Sequence, residues 1–308
     1  AEWEAALTRW MRLNAPLRKE LSDGAAPGMS AQVMLYQTLV GAWPPELEVD
    51  DADGLASYAE RLAAWQQKSL REAKLYSSWA APHEDYEQAC RQFLEALFDR
   101  ARSGPFLEEV REWVQRIAPA SIANSLTQTL LRLTSPGMPD LYQGTEFWDF
   151  SLVDPDNRRP VDYAARRQAL DQAAANNADR QQRQLKQALL QRTLALRATE
   201  AELFANGSYV PVHAEGPLQD HVIAFLREYK GRTILVAALR FNLKLMGRDL
   251  RLNTDEAAAT LLLLPRALHS PQRDIVSGRA LRFTNANISV ADLLGDYPVA
   301  LLLAGGEP

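Results

Sequence analysis

A single cysteine, Cys90, stands in a chain of 308 residues. That scarcity excludes an internal disulfide framework and any cysteine-rich zinc site, and a reducing, cytoplasmic setting is the expected one. Histidine is almost as rare. The four, at 83, 213, 221 and 269, show no metal-ligand spacing, so no metal is expected. No glycine-rich phosphate loop occurs. No apolar stretch reaches the roughly 18 residues of a membrane-spanning helix, and the run 261–264 is of strand length only. Charge of one sign is missing as well: 34 basic against 39 acidic residues leave a net −5. Such a surface has no general attraction for nucleic acid or anionic lipid, so neither is an expected partner. There is no tandem repeat.

What is present is an ordinary globular composition, 47% hydrophobic and 24% charged, long enough for two domains. Up to residue 133 the apolar spacing is helical, apart from residues 10–28, which read as irregular with turns at Asp23-Gly24 and Pro27-Gly28. Leu55, Tyr58, Leu62, Trp65 and Ser69 step by three and four behind Asp53 as a cap. Tyr86, Cys90, Phe93 and Leu97 repeat the pattern, as do Phe106, Val110, Trp113 and Ile117, with Pro119 expected to end that helix. Ser121 then caps a helix carrying Ile122, Leu126, Leu130 and Leu133, closed by Ser135-Pro136-Gly137. Helices are also expected over 163–174 and 179–200, around Asn176-Asn177. After Asn206-Gly207 the period shortens to two. Strands are expected over 208–213, 221–229, 233–241, 259–264, 274–276, 280–283, 287–290 and 299–304, with Lys230-Gly231-Arg232 as a hairpin turn. Short strands and frequent turns point to an antiparallel sandwich.

Between these halves lies TSPGMPDLYQGTEFWDFSLVDPDNRRPVDY, residues 134–163. A turn and a short apolar strand over 138–142 lead into a loop in which Glu146, Asp149, Asp154, Asp156, Asn157, Arg158 and Arg159 crowd together. Such a loop is costly to order unless it is functional, and Phe147, Trp148, Phe150 and Tyr163 argue against disorder. Aromatic faces beside planar polar groups suit sugar rings, with their apolar C–H faces and hydroxyl edges.

The run Pro136-Gly137-Met138-Pro139-Asp140-Leu141-Tyr142-Gln143-Gly144-Thr145-Glu146 resembles the Pro-Gly-x-Pro-x-x-Tyr-x-Gly-x-Glu pattern at the last barrel strand of the alpha-amylase family. The continuation Leu152-Val153-Asp154-Pro155-Asp156-Asn157-Arg158-Arg159-Pro160-Val161-Asp162-Tyr163 is similar to a narrower group within it, the maltooligosyltrehalose synthases. Leu35-Tyr36-Gln37-Thr38-Leu39-Val40-Gly41-Ala42-Trp43-Pro44, Arg71-Glu72-Ala73-Lys74 with Ser78-Trp79, and Ala123-Asn124-Ser125-Leu126-Thr127-Gln128-Thr129-Leu130 extend the resemblance almost end to end. It implies an α+β chain in three parts. These are a helical insertion over 1–133, the last strand-helix unit of a (β/α)8 barrel with its substrate-side loop over 134–205, and an antiparallel β-sandwich over 206–308.

The family's three catalytic carboxylates sit at the ends of the fourth, fifth and seventh barrel strands. No His-Asp pair occurs here, and neither Asp23-Gly24 nor Asp53-Gly54 continues as Arg-x-Asp. The chain therefore enters the resemblance downstream of the catalytic groups and is expected to be a C-terminal fragment without activity of its own. The parent, as the resemblance implies, is an intramolecular transglucosylase that needs no cofactor and converts maltooligosaccharides or α-1,4-glucans to maltooligosyltrehalose. A non-catalytic carbohydrate-binding or scaffold module, or part of another hydrolase of the family, are the alternatives.

No catalytic residue is assigned within the chain. Tyr142 and Gln143 would line the barrel rim, where barrel active sites lie, or pack beneath the loop. Glu146, Asp154, Asp156, Asn157, Arg158 and Arg159 would bind or shape the substrate. Alternatively, the two arginines pair with Asp154 and Asp156 to pin the loop. Trp79, at the break Ala80-Ala81-Pro82, would stack on a sugar or join the core. Cys90 lies on an apolar stripe and reads as an inert core thiol.

Overall fold

The computed structural model describes residues 2–22, 24–175, 182–245, 252, 254–268, 272–283, 285–295 and 297–305. Asp23, Asn176-Asn177 and His269 of the sequence reading lie outside them. The chain divides into two compact units, residues 1–116 with 150–160, and residues 117–149 with 161–308.

The first unit is helical. It comprises α1 (Glu2–Asn14), a small antiparallel pair β1 (Lys19–Leu21) and β2 (Gly24–Ala26), α2 (Met29–Gly41), α3 (Ala52–Ala73), α4 (Glu84–Phe98) and the start of α5 (Arg100–Thr134). The expected stripes are its core: Leu55, Tyr58, Leu62, Tyr86, Cys90, Phe93, Leu97, Phe106 and Val110 are all buried. Trp10 meets Trp3, Tyr36, Phe106 and Trp113 edge to face at 5.6–6.5 Å, a geometry that sets the positive ring edge against the negative face. Two local expectations are corrected. The cap of α3 is Asp51, whose carboxylate accepts from Gly54 N–H at 2.9 Å, and Asp53 lies in the first turn. Pro119 does not end a helix; α5 runs through it, and the non-helical residue is Ser103.

The second unit holds the rest of α5, α6 (Tyr163–Ala175), α7 (Gln182–Thr199) and α8 (Ala201–Asn206), then the strands. These are β3 (Ser208–Glu215), β4 (Val222–Tyr229), β5 (Arg232–Leu239), β6 (Leu261–Leu263), β7 (Gln272–Asp274), β8 (Ala280–Leu281), β9 (Asn287–Ser289) and β10 (Val299–Ala304), with short helices α9 (Thr254–Ala258) and α10 (Val290–Leu294). Each strand expected beyond residue 206 has a counterpart, though β7 lies at 272–274 where 274–276 was expected. Lys230 and Gly231, both at positive φ, make the tight β4–β5 turn that a right-twisted hairpin favours.

The expected two-sheet sandwich is instead one antiparallel sheet, in the order β8-β7-β10-β5-β4-β3-β6-β9. The reason lies in its central strands, which are apolar on both faces. Ala224, Leu226, Leu235, Ala237 and Leu302 point one way, into a core shared with Leu262 of β6 and Ile288 of β9, so the sheet curls on itself. Phe225, Ile234, Val236 and Leu301 point the other way and pack under Leu126, Leu130, Leu189, Leu196 and Phe204 of α5, α7 and α8. A strand buried on both faces needs a layer on each side, and helices supply the second.

Arg227, 1% exposed, crosses that layer. Its guanidinium donates to the carbonyls of Ser208, Thr134, Leu203, Phe204 and Gly207 at 3.0–3.5 Å. Its charge thus sits against the carbonyl ends of α5 and α8, where the helix dipoles are negative. Arg197 adds a bond to Leu133 O at 2.6 Å.

The apolar strand expected over 138–142 does not form. A strand exists only by pairing, Pro136 and Pro139 have no N–H to offer, and no described strand lies beside it.

Candidate functional site

The carboxylate- and arginine-rich stretch folds in two pieces, one in each unit.

In the helical unit, residues 150–160 lie against α3. Asp156 begins a 3-10 turn, Asp156–Arg158. Its carboxylate is gripped by Arg61 of α3 through Nε at 3.0 Å and Nη2 at 2.9 Å, accepts from Leu152 N–H at 2.7 Å, and forms an ion pair with Arg159, whose Nε lies 3.3 Å away. Burial alone would raise the Asp156 carboxyl. The hydrogen bonds from Arg61 and Leu152, with the charges of Arg61 and Arg159, outweigh it and hold the group below the ordinary carboxylate range. Arg61 also donates to Phe150 O at 2.8 Å, so one side chain holds both Phe150 and the start of the turn. Lys68, two turns along α3, donates to Asp154 O at 2.8 Å. Arg158 pairs with the Asp154 carboxylate but leaves most of its side chain in solvent. Arg159 donates to Asp156 O and Ser151 Oγ at 3.0 and 3.1 Å. Asn157 Oδ1 is buried without a hydrogen-bond partner among the described residues, a feature that native sites seldom leave without a purpose.

In the other unit, Tyr142 and Gln143 are exposed and Glu146 is half-buried. Arg166 of α6 holds Glu146 and the backbone after Gln143. It donates to Glu146 Oε2 at 2.9 Å, Gly144 O at 2.6 Å and Asp162 O at 3.0 Å, and its guanidinium lies 4.7 Å from the Phe147 ring centre. Gly144 is at φ +84, and a β-carbon there would meet Val161 at 3.0 Å, so the close approach of 144 to 161 requires glycine. Lys186 of α7 is buried, donates to Phe147 O at 3.2 Å and lies 6.0 Å from the Trp148 ring. Burial, helped by the charge of Arg132, pulls its ammonium below the usual lysine range against Asp149 and Glu146.

Sequence reasoning therefore found the loop residues and missed the residues that hold them, Arg61, Lys68, Arg166 and Lys186. Their one signal was a basic residue beside an apolar helical stripe, which does not say which acid or carbonyl it meets. The helical unit has a further cleft of about 520 Å3 floored by Ala52, Ala56, Ala59, Leu55 and Phe98. Its rim residue Arg91 is taken up by Glu60 and Glu95 at 2.7 and 2.9 Å. Among the described residues no cluster of His, Cys, Asp or Glu could hold a metal ion, and no helix is long and apolar enough to cross a membrane.

No family model matches the chain. Among curated proteins it is 36% identical over 281 residues to a Mycobacterium tuberculosis protein named as a maltooligosyl trehalose synthase, a match covering 90% of this chain and 32% of that protein. Among solved structures, maltooligosyltrehalose synthase from Arthrobacter ramosus superimposes with a TM-score of 0.69 at 32% identity over 96% of this chain and 35% of the other. A hypothetical maltooligosyl trehalose synthase from Sulfolobus tokodaii shares the fold with a TM-score of 0.62 at 21% identity. The chain spans about a third of the length of these relatives.

Proposed function

We infer that this chain is the C-terminal third of an intramolecular transglucosylase, a maltooligosyltrehalose synthase of trehalose biosynthesis. The observation that carries the reading is the 36% identity sustained over 281 residues, against relatives three times as long. In the parent, one carboxylate from the missing barrel attacks the anomeric carbon of the penultimate residue at the reducing end. A second protonates the departing terminal glucose. That glucose turns in the pocket, and its anomeric hydroxyl, deprotonated by the same group, displaces the enzyme carboxylate to form the α,α-1,1 bond. Atoms balance without water or cofactor, so the task of the surrounding protein is to hold glucose and exclude solvent.

This chain's share would be orientation. Segment 134–149 would end the barrel, with 138–142 pairing only beside its missing neighbours. In one unit Tyr142, Gln143 and Glu146 would bind or shape the substrate; in the other Asp154, Asn157, Arg158 and Arg159 would do so, with Asp156 holding the turn that presents these four. Incubating the full-length parent with maltopentaose should give a non-reducing product of the same length, while this chain alone should give none. A parent that releases only shorter reducing sugars would be a hydrolase. Turnover by this chain alone would place the chemistry inside it and overturn the fragment reading.

A further inference from the structure

The α3–α4 connector, residues 74–83, shows two large aromatic rings to solvent: Trp79 is 58% exposed and Tyr76 47%. Exposed rings on a loop ordinarily swing. Both of these are braced. Tyr76 stacks on Tyr86 at 4.6 Å and 21° between planes, and the Tyr86 hydroxyl accepts from Gly28 N–H at 3.1 Å. Trp79 lies on the Arg71 guanidinium, 5.0 Å from ring centre to Cζ. Arg71 is itself fixed by a bidentate pair with Glu87, at 2.8 and 2.7 Å. Glu87 also accepts from Ser77 Oγ at 2.5 Å and Gln67 Nε2 at 3.3 Å, and Ser77 Oγ takes the N–H of His83 at 3.1 Å. Tyr86 and Glu87 are neighbours in the first turn of α4, so one helix start backs both rings. Ser78 Oγ accepts from Ala81 N–H at 3.1 Å and closes the loop between them.

We propose that this braced pair, Tyr76 and Trp79, is a carbohydrate-binding platform for the pyranose rings of an α-1,4-glucan. Three features carry it. A planar group occupies one side of each ring, and the exposed remainder is a flat π surface of the kind that meets the C–H face of a sugar. Bracing lowers the ordering cost of binding, which is how a weak stacking contact becomes a useful one. The groups behind the rings, Arg71 for Trp79 and the Tyr86 ring for Tyr76, leave the ligand's hydroxyls hydrated at their edges. The choice of α-1,4-glucan over other glycans rests on the proposed function; the platform itself does not.

The test uses this chain as it stands, with maltohexaose and cellohexaose as probes, by calorimetry and ligand-observed saturation-transfer NMR. Maltohexaose should bind at millimolar or lower concentration and more tightly than cellohexaose. Trp79→Ala should weaken it about tenfold, the scale of one lost stacking contact, and Trp79→Phe should retain most of it. Arg71→Gln, which leaves the ring but removes its brace, should weaken binding less than Trp79→Ala. Equal binding by wild type and Trp79→Ala would overturn the proposal, as would no binding of maltohexaose. Self-association abolished by Trp79→Ala, with no sugar bound, would make the patch a protein contact and overturn it too. Preference for cellohexaose would refute the α-glucan assignment. A parent that forms no trehalose product while this chain still binds maltohexaose through Trp79 would sink the proposed function and leave the platform standing.

Discussion

At the scale of single residues, burial and hydrogen bonding make predictions that sequence position does not. Cys90 is fully buried, and burial, with the charge of Glu87 adding to it, pushes its thiol up to about 12 against a hydrogen bond with Tyr86. The thiolate is the reactive form, so the native chain should stay unmodified by a water-soluble disulfide reagent at neutral pH and react with one equivalent once unfolded. This thiol was legible in the sequence, because its apolar stripe was regular. The loop residues were legible only as a set. Asp156 and Arg158 stand two apart in similar company, yet Asp156 is sunk against Arg61 while Arg158 is 71% exposed at its side chain. Their variants should therefore part. In the full-length parent, Arg158→Ala should keep the melting temperature and raise glucose release relative to trehalose formation, a loss of about 1–3 kcal/mol in transition-state binding if it orients the sugar. An unchanged product ratio would remove Arg158 from the site.

At the scale of elements, α3 is the post to which both its neighbours are tied. Its Arg61 holds residues 150–156, and its Arg71 holds Glu87 at the start of α4. Asp156→Ala should cost about 2–3 kcal/mol, because it strands a largely buried guanidinium and leaves the Leu152 N–H unpaired. Limited proteolysis should then cut within 150–160 first. The Glu87 pair sets an acid limit. Hydrogen bonds from Arg71 above all, then from Ser77 and Gln67, outweigh burial and draw its carboxyl down from 4.5 to about 2. A depressed pKa stabilises the fold above the ordinary value and loses that contribution as pH falls from about 4.5 towards 2. The melting temperature of Glu87→Gln should lie below wild type at neutral pH, and the gap should close across that window. A gap independent of pH would mean that the charge on Glu87 contributes nothing. None of these ties was visible in the sequence, where Arg61, Arg71 and Glu87 are charges on helices that hold many. Apolar period identifies an element, but it does not identify partners of opposite charge far along the chain.

At the scale of the whole molecule, the strands were legible because β-branched and aliphatic runs with turn signals mark them locally. Their assembly was not. The alternation expected of a sandwich requires one wet face, and 234–239 are apolar without interruption; only the structure shows helices filling the second side. A segment from about residue 206 to the end should therefore keep a β-rich circular dichroism spectrum yet bind a hydrophobic dye strongly and aggregate, with Phe225, Ile234, Val236 and Leu301 bared. A monomeric, dye-silent segment would show that the helical layer is dispensable. The arginines that grip the end of α5 have a consequence of another kind. Arg227 and Arg197 fix the carbonyls of Thr134 and Leu133, and Arg166 fixes Gly144 and Glu146. The six residues 138–143 are then a bridge deck between two piers, one at the buried end of α5 and one at the half-buried Arg166. Their conformation can be recast by whatever lies alongside without the piers moving, while the fold beneath stays the same.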